Sequence, residues 1–153
     1  MENGLERDAV VDFDIFRNIS SRMDVSATSI ESYSPLTLAF LGDAVYEVVI
    51  RTVVVCEGNT QVNKLHKKSS TLVNAKTQAE IIKALMEELT DEELTYYKRG
   101  RNAKSYTSAK NASISDYRMA TGFEALIGYL YLSNQSDRML DLIKKGIKLT
   151  GDR

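Results

Sequence analysis

Apolar residues along this chain cluster at helical spacing and seldom alternate with polar ones, so the pattern predicts helices and no sheet. From Ser34 the run PLTLAFLGDAVYEVVIRTVVV predicts a helix to about Val55, with Ser34 as N-cap and Pro35 at the first helical position. Glu57-Gly58-Asn59 ends it, and Thr60 is the expected cap of a short helix over VNKLHKKSS. A longer helix is predicted from about Leu72 to Leu89, its apolar face marked by Ile81, Ile82, Leu85 and Leu89. Thr90-Asp91-Glu92-Glu93 has the form of a capping box and opens a helix that ends near Arg99-Gly100. A polar, cationic loop, RNAKSYTSAKNAS, follows. Ser115 or Asp116 then caps YRMATGFEALIGYLYL, and Ser136 caps RMLDLIKKGIKL. The expectation is an all-α domain of six or seven helices over residues 34–150, preceded by a Ser-rich, partly ordered extension over 1–33.

Composition narrows the classes. The 153 residues suit one domain, and 43% hydrophobic with 27% charged residues is the make-up of an ordinary globular protein. A single cysteine, Cys56, and a single histidine, His66, fall short of a Cys/His zinc site and exclude an internal disulfide. The acidic opening MENGLERDAVVDFD does not read as a secretory signal, and Asp43 and Glu47 interrupt the apolar stretch Ala39–Ile50, so a cytoplasmic protein is expected, with no membrane partner.

Charge changes the picture more than its net value of −1 suggests. Neither Gly58–Ala79 nor Leu94–Ser115 contains an acid, yet the first carries Lys64, Lys67, Lys68 and Lys76 and the second Lys98, Arg99, Arg101, Lys104 and Lys110. Two basic strips thus sit on an otherwise acidic chain, and together they could face a polyphosphate. The plainer alternative is a pair of solvated faces.

Two acids stand out. Asp43 in AFLGDAVYEVV and Glu124 in ATGFEALIGYLYL lie in helices whose composition suits packing, so each needs a cation, hydrogen bonds or a metal as partner. Gly42 and Gly122 nearby would let helix backbones approach, and two acids on crossing helices could share a divalent ion such as Mg²⁺. Local pairing of each acid is the alternative. Glu47 lies four residues before Arg51, the spacing of a helical ion pair, and reads as structural or supporting. Met23, Met86, Met119 and Met139, with Phe123, Tyr129 and Tyr131, are expected in the core. His66, flanked by lysines, could touch a phosphate but is too isolated to be assigned as a general base.

LAFLGDAVYE (38–47) resembles the signature of the ribonuclease III family, and GFEALIGYLYL (122–132) resembles its second catalytic helix. LHKKSSTLVNAKTQAEI (65–81) and KRGRNAKSYTSAKN (98–111) look like the Mini-ribonuclease III subgroup, which lacks a double-stranded-RNA-binding domain. The resemblance spans about Pro35 to Lys148 and implies an all-α homodimeric endonuclease that cuts double-stranded RNA with Mg²⁺. It places catalytic metal ligands at Asp43 and Glu124. Acids that ordinary ribonuclease III enzymes carry are replaced here by Leu36, Ala39 and Thr121, a reduced set that fits the subgroup; Thr121 then has a supporting role.

The RNA-contacting residues are expected to be Arg99, Arg101, Asn102 and Lys104 in a loop along the duplex, with Lys67, Lys68 and His66 on a second surface. Shape-based recognition of A-form RNA asks for such cations and short polar groups. The resemblance further implies a place in maturation of the large-subunit (23S) ribosomal RNA precursor, with a ribosomal protein as an accessory partner. The competing readings are a catalytically inactive ribonuclease III-like protein that binds structured RNA, and an unrelated helical interaction protein.

Overall fold

A computed structural model describes residues 14–104 and 113–151. Among them are seven α-helices and no strand: α1 (Ile15–Arg22), α2 (Pro35–Cys56), α3 (Val62–Val73), α4 (Ala75–Leu85), α5 (Asp91–Asn102), α6 (Ile114–Leu132) and α7 (Ser136–Leu149). Short 3₁₀ turns at Ile30–Ser32 and Met86–Glu88 precede α2 and α5. None of these helices is long and apolar enough to cross a membrane.

The core is built around α6, which packs most extensively on α2, then on α5 and α4. Phe123, Leu126, Ile127 and Leu130 of α6 are fully buried with Tyr46 and Ile50 of α2 and Ile81, Ile82 and Leu85 of α4. Helices α2 and α6 cross in near backbone contact. A methyl group added at Gly42 would fall on the Glu124 carbonyl oxygen, and one at Gly128 on the Leu38 carbonyl oxygen. The close approach anticipated at Gly42 therefore has Gly128 as its counterpart; Gly122 instead admits Tyr97 of α5.

Local chemistry sets the helix ends. Ser34 Oγ accepts the Thr37 N–H at 3.1 Å, with Pro35 following as the first helical residue. In α5 the capping box is complete: Glu93 N–H donates to Thr90 Oγ1 at 3.2 Å, and Thr90 N–H to Glu93 Oε1 at 2.9 Å. Arg138 of α7 also donates to both oxygens of the buried Glu93, each at 2.8 Å, which ties α7 to the start of α5. That guanidinium is the main reason the Glu93 carboxyl is held below its ordinary range.

Several boundaries differ from the sequence pattern. The single helix expected over Leu72–Leu89 is broken at Asn74, whose backbone is extended (ψ 157°). Its side-chain NH₂ donates to the carbonyl of Ser70 at 2.8 Å while its Oδ1 accepts the Thr77 N–H at 2.9 Å, so one residue ends α3 and starts α4. Helix α3 begins after Gln61 without a side-chain cap, so Thr60 does not cap it. Ser113, not Ser115 or Asp116, caps α6, and Ser136 is the first residue of α7, following Gln135. Helix α5 continues past Gly100 to Asn102.

The packed body also begins before Ser34: Phe16 of α1 lies against Tyr131 with ring centroids 5.5 Å apart, and Ser136 donates to Asp14 at 3.0 Å. Met139, Tyr129 and Tyr131 are buried and Met86 and Met119 pack at the core's edge, but Met23 is 69% exposed because it lies just beyond the end of α1.

Candidate active site

The α2–α6 crossing determines where the two singled-out acids meet. Gly42 rests on the Glu124 backbone, so Asp43, the next residue, is carried beside the Glu124 side chain. The two carboxyls lie close enough to act on each other. Glu124 is largely enclosed, and burial above all, followed by the Asp43 carboxylate, pushes its pKa from 4.5 up to about 9. At neutral pH and without a cation it therefore holds a proton. Asp43 itself is exposed, which corrects the expectation of an acid buried in packing. The physical reason is that α2 leaves one apolar side in solvent, with Phe40 81% and Val48 65% exposed, so its composition does not report burial all round.

A third polar side chain reaches this point. Gln78 of α4 is 3% exposed and faces Glu124, where its amide favours the charged carboxylate; its Nε2 has no hydrogen-bond partner among the described residues. The sequence carried a faint sign of it, a glutamine three residues before Ile81 on the apolar face of α4. No group of three or more His, Cys, Asp or Glu side chains lies close enough to hold a metal among the described residues, so the protein's acidic contribution here is the Asp43–Glu124 pair.

Glu47 stands one turn beyond Asp43 on α2 and accepts from Arg51 Nε at 2.8 Å. From this pair a groove of about 700 Å³ runs along α3, lined by Asn63, Lys64, His66, Lys67, Ser69 and Ser70. Lys68 is exposed but is not part of the groove wall, being rotated a further 100° around α3. Asn63 joins this surface without having been singled out from the sequence, and Lys64, which the sequence placed only in the first basic strip, lines it too. Thr121 is buried and donates to the Tyr117 carbonyl of its own helix at 3.0 Å, a structural bond.

The second basic strip is not the loop that the sequence suggested. Arg99, Arg101 and Asn102 belong to the last turn of α5, whose hydrogen bonds continue past Gly100, and only Lys104 follows the helix. Residues 105–112 of the expected cationic loop, including Lys110, lie outside the described residues. Arg99 donates to the Tyr33 carbonyl at 3.2 Å and lies over the Tyr96 ring, which stacks on Tyr129 with centroids 4.0 Å apart. Arg101 lies over Tyr97 and donates to Asn102 Oδ1 at 3.1 Å. Arg101, Asn102 and Lys104 line a hollow of about 730 Å³ together with Arg118 of α6. The two basic strips thus border two hollows that share no lining residue.

Comparison with known proteins identifies the family of the fold. Residues 36–135 match the Ribonuclease III domain model. The chain is 52% identical to Mini-ribonuclease 3 of Clostridium tetani over 78% of its own length and 80% of the relative's, and 50% identical to Mini-ribonuclease 3 of Enterococcus faecalis over 76% and 90%. A crystal structure of a Fusobacterium nucleatum protein superposes with a TM-score of 0.72 at 34% identity, covering 80% of this chain and 98% of that one. The matched region includes both acids and the whole α2–α6 crossing, and the chain therefore belongs to the ribonuclease III family, among the Mini-ribonuclease 3 proteins, as a ribonuclease III-type endonuclease.

Proposed function

We propose that this chain acts as a homodimer that cleaves double-stranded RNA with Mg²⁺, in maturation of the large-subunit ribosomal RNA precursor. One observation carries the reading: two carboxyls from crossing helices face each other one turn of α2 from the Glu47–Arg51 pair, where a cationic groove begins, and none of the described cations offsets the Glu124 charge. Such a pair is unfavourable unless protonated or bridged, and hard oxygen donors suit Mg²⁺. The donor set therefore fits, with water and phosphate oxygens supplying the remaining ligands. Mg²⁺ held there would lower the pKa of a bound water and offset charge on the phosphate and the leaving 3′ oxygen.

The chain's own residues then hold, align and neutralise. Asp43 and Glu124 would hold the ion, and both would have to be ionised to do so. Lys64, Lys67 and His66 along one groove, and Arg101, Asn102, Lys104 and Arg118 around the other hollow, hold backbone phosphates of the duplex. Arg99, engaged with Tyr33 and Tyr96, contributes by fixing the end of α5, and Lys68 contacts phosphate outside the groove. Glu47 and Arg51 form the wall between the acids and the α3 groove. No histidine touches the acid pair, so proton transfer is left to water.

The homodimer reading is supported by the apolar side of α2. Phe40 and Val48 project into solvent beside an apolar groove formed with Ile15, Ile19 and Leu140, an exposed surface that a second copy would cover. A two-fold arrangement presents two acid pairs and doubles both basic strips, one set for each RNA strand.

The test is cleavage of a long RNA duplex by the purified chain with Mg²⁺ and with EDTA, beside Glu124→Gln. The expected result is Mg²⁺-dependent cutting that falls more than about a hundredfold in the variant, beyond the effect usual for groups that only support a ligand. Tight duplex binding with no cutting under either condition would instead favour an inactive protein that binds structured RNA. Accumulation of unprocessed large-subunit precursor in cells lacking the protein, with the small-subunit precursor unaffected, would support the substrate; normal precursor ends would remove it.

A further inference from the structure

We propose that Gln78 is a positioning residue for the acid pair: its side-chain amide donates through Nε2 to the Glu124 carboxylate and holds it turned toward the cation it shares with Asp43. This rests on the reading that Asp43 and Glu124 form a cation site. Gln78 is a misfit in its own helix. Helix α4 buries Ala79, Ile81, Ile82 and Leu85 around Gln78, and a leucine or methionine at 78 would fill a similar volume without an amide to satisfy. A buried amide hydrogen without an acceptor is costly and rare in folded proteins. Gln78 Nε2 is in that position among the described residues, at 3% exposure. Packing alone gives no reason for it.

Its location does. The α4–α6 contact sets the buried amide beside Glu124, the same carboxyl that the solvent-exposed Asp43 approaches. Without a cation Nε2 has no partner of good hydrogen-bond geometry among the described residues, although the amide already acts on the Glu124 carboxyl. Once a cation separates the pair, a Glu124 oxygen is free to accept from Nε2, and a hydrogen bond to a charged acceptor is among the stronger ones available in a protein interior. Donors that steady a ligating carboxylate typically change metal affinity by about 10–100-fold. A site with two acids depends heavily on how each is aimed, because no third carboxylate corrects a misdirected one.

The experiment compares the full-length wild type with Gln78→Met and Gln78→Leu. Mn²⁺ binding is followed by electron paramagnetic resonance titration without RNA, the Mg²⁺ concentration for half-maximal duplex cleavage is measured separately, and each variant is melted in EDTA. The expected result is a melting temperature equal to or above that of wild type, because the orphan amide is gone, with Mn²⁺ affinity lowered and Mg²⁺ requirement raised about 10–100-fold. Duplex binding in EDTA should be unchanged. Variants that fold and keep wild-type Mn²⁺ affinity and Mg²⁺ requirement would overturn the role of Gln78 while leaving the acid pair in place. A wild type that neither binds Mn²⁺ nor cuts RNA would remove the cation site itself, and this proposal with it.

Discussion

Glu124 is the residue at which the fold works against its own chemistry. Its carboxyl is buried beside another acid, and its pKa rises from 4.5 to about 9. The folded, metal-free chain therefore binds a proton that the unfolded chain releases above pH 4.5. Linkage gives the sign: this contribution to stability is complete below pH 4.5 and is lost progressively as pH rises toward 9. Melting in EDTA between pH 5 and 9 should show a decline on the order of 10 °C attributable to this group, and Glu124→Gln should flatten it. On the proposed reading Mg²⁺ binds the ionised pair, and it should then raise the melting temperature more at pH 8 than at pH 5. A slope identical in wild type and variant would place the titration elsewhere. Asp43 and Glu124 were legible in the sequence because an acid in an apolar helix is an anomaly that composition alone exposes. The exposure of Asp43 was not, since apolar neighbours report burial only when every side of the helix is covered. Gln78 was quieter still: a glutamine is a good helix former anywhere, and its meaning appears only when α4 lies against α6.

At the scale of the element, the α2–α6 crossing holds the site together, and its dependence on glycine can be tested. Gly42→Ala puts a methyl onto the Glu124 carbonyl, which is backbone and cannot rotate aside, so the helices must part. The expected cost is about 3 kcal/mol, the upper part of the range for overpacking, measured by urea unfolding. Because the same displacement moves Asp43 from Glu124, Mg²⁺-dependent cleavage should fall even under conditions where the variant is fully folded. The Glu93–Arg138 tie makes a second, independent case. Arg138→Met leaves the Glu93 carboxylate buried with only its Thr90 bond, for an expected loss of about 3–5 kcal/mol, whereas Glu93→Gln, which removes the charge as well, should cost less. Equal losses would mean that the buried charge is not the source of the penalty. The helix starts at Ser34 and Thr90 could be read directly because caps are local: a hydroxyl and an N–H three residues apart decide them. The break at Asn74 could not. The apolar spacing runs through it from Leu72 to Ile81, and what stops the helix is a pair of side-chain bonds, from Asn74 and Thr77 to carbonyls of α3, that compete with continuation.

For the whole molecule the question is why a chain with a net charge of −1 should hold a polyanion. Two hollows gather cations, Lys64 and Lys67 along α3 and Arg101, Lys104 and Arg118 at the end of α5, so the local field there differs in sign from the average. Dimerisation would double that field, which makes the exposed side of α2 central to binding as well as to assembly. Phe40 tests this because it is 81% exposed, lies three residues before Asp43, and makes no contribution to the buried core. Phe40→Asp should leave the chain folded, since the α2–α6 crossing is not touched, and its carboxylate, one turn from Asp43, should not lower Mn²⁺ affinity. Sedimentation equilibrium should move from dimer to monomer, because the substitution places two like charges into a surface that otherwise buries apolar atoms. Halving the number of neutralised phosphates should then roughly halve the slope of log affinity against log salt. Cutting of both strands should fall together with the dimer. The three readings separate cleanly: a Phe40→Asp chain that remains dimeric places the interface elsewhere, one that becomes monomeric but retains the full salt slope shows that a single copy spans the duplex, and one that loses both makes the RNA surface a property of the pair.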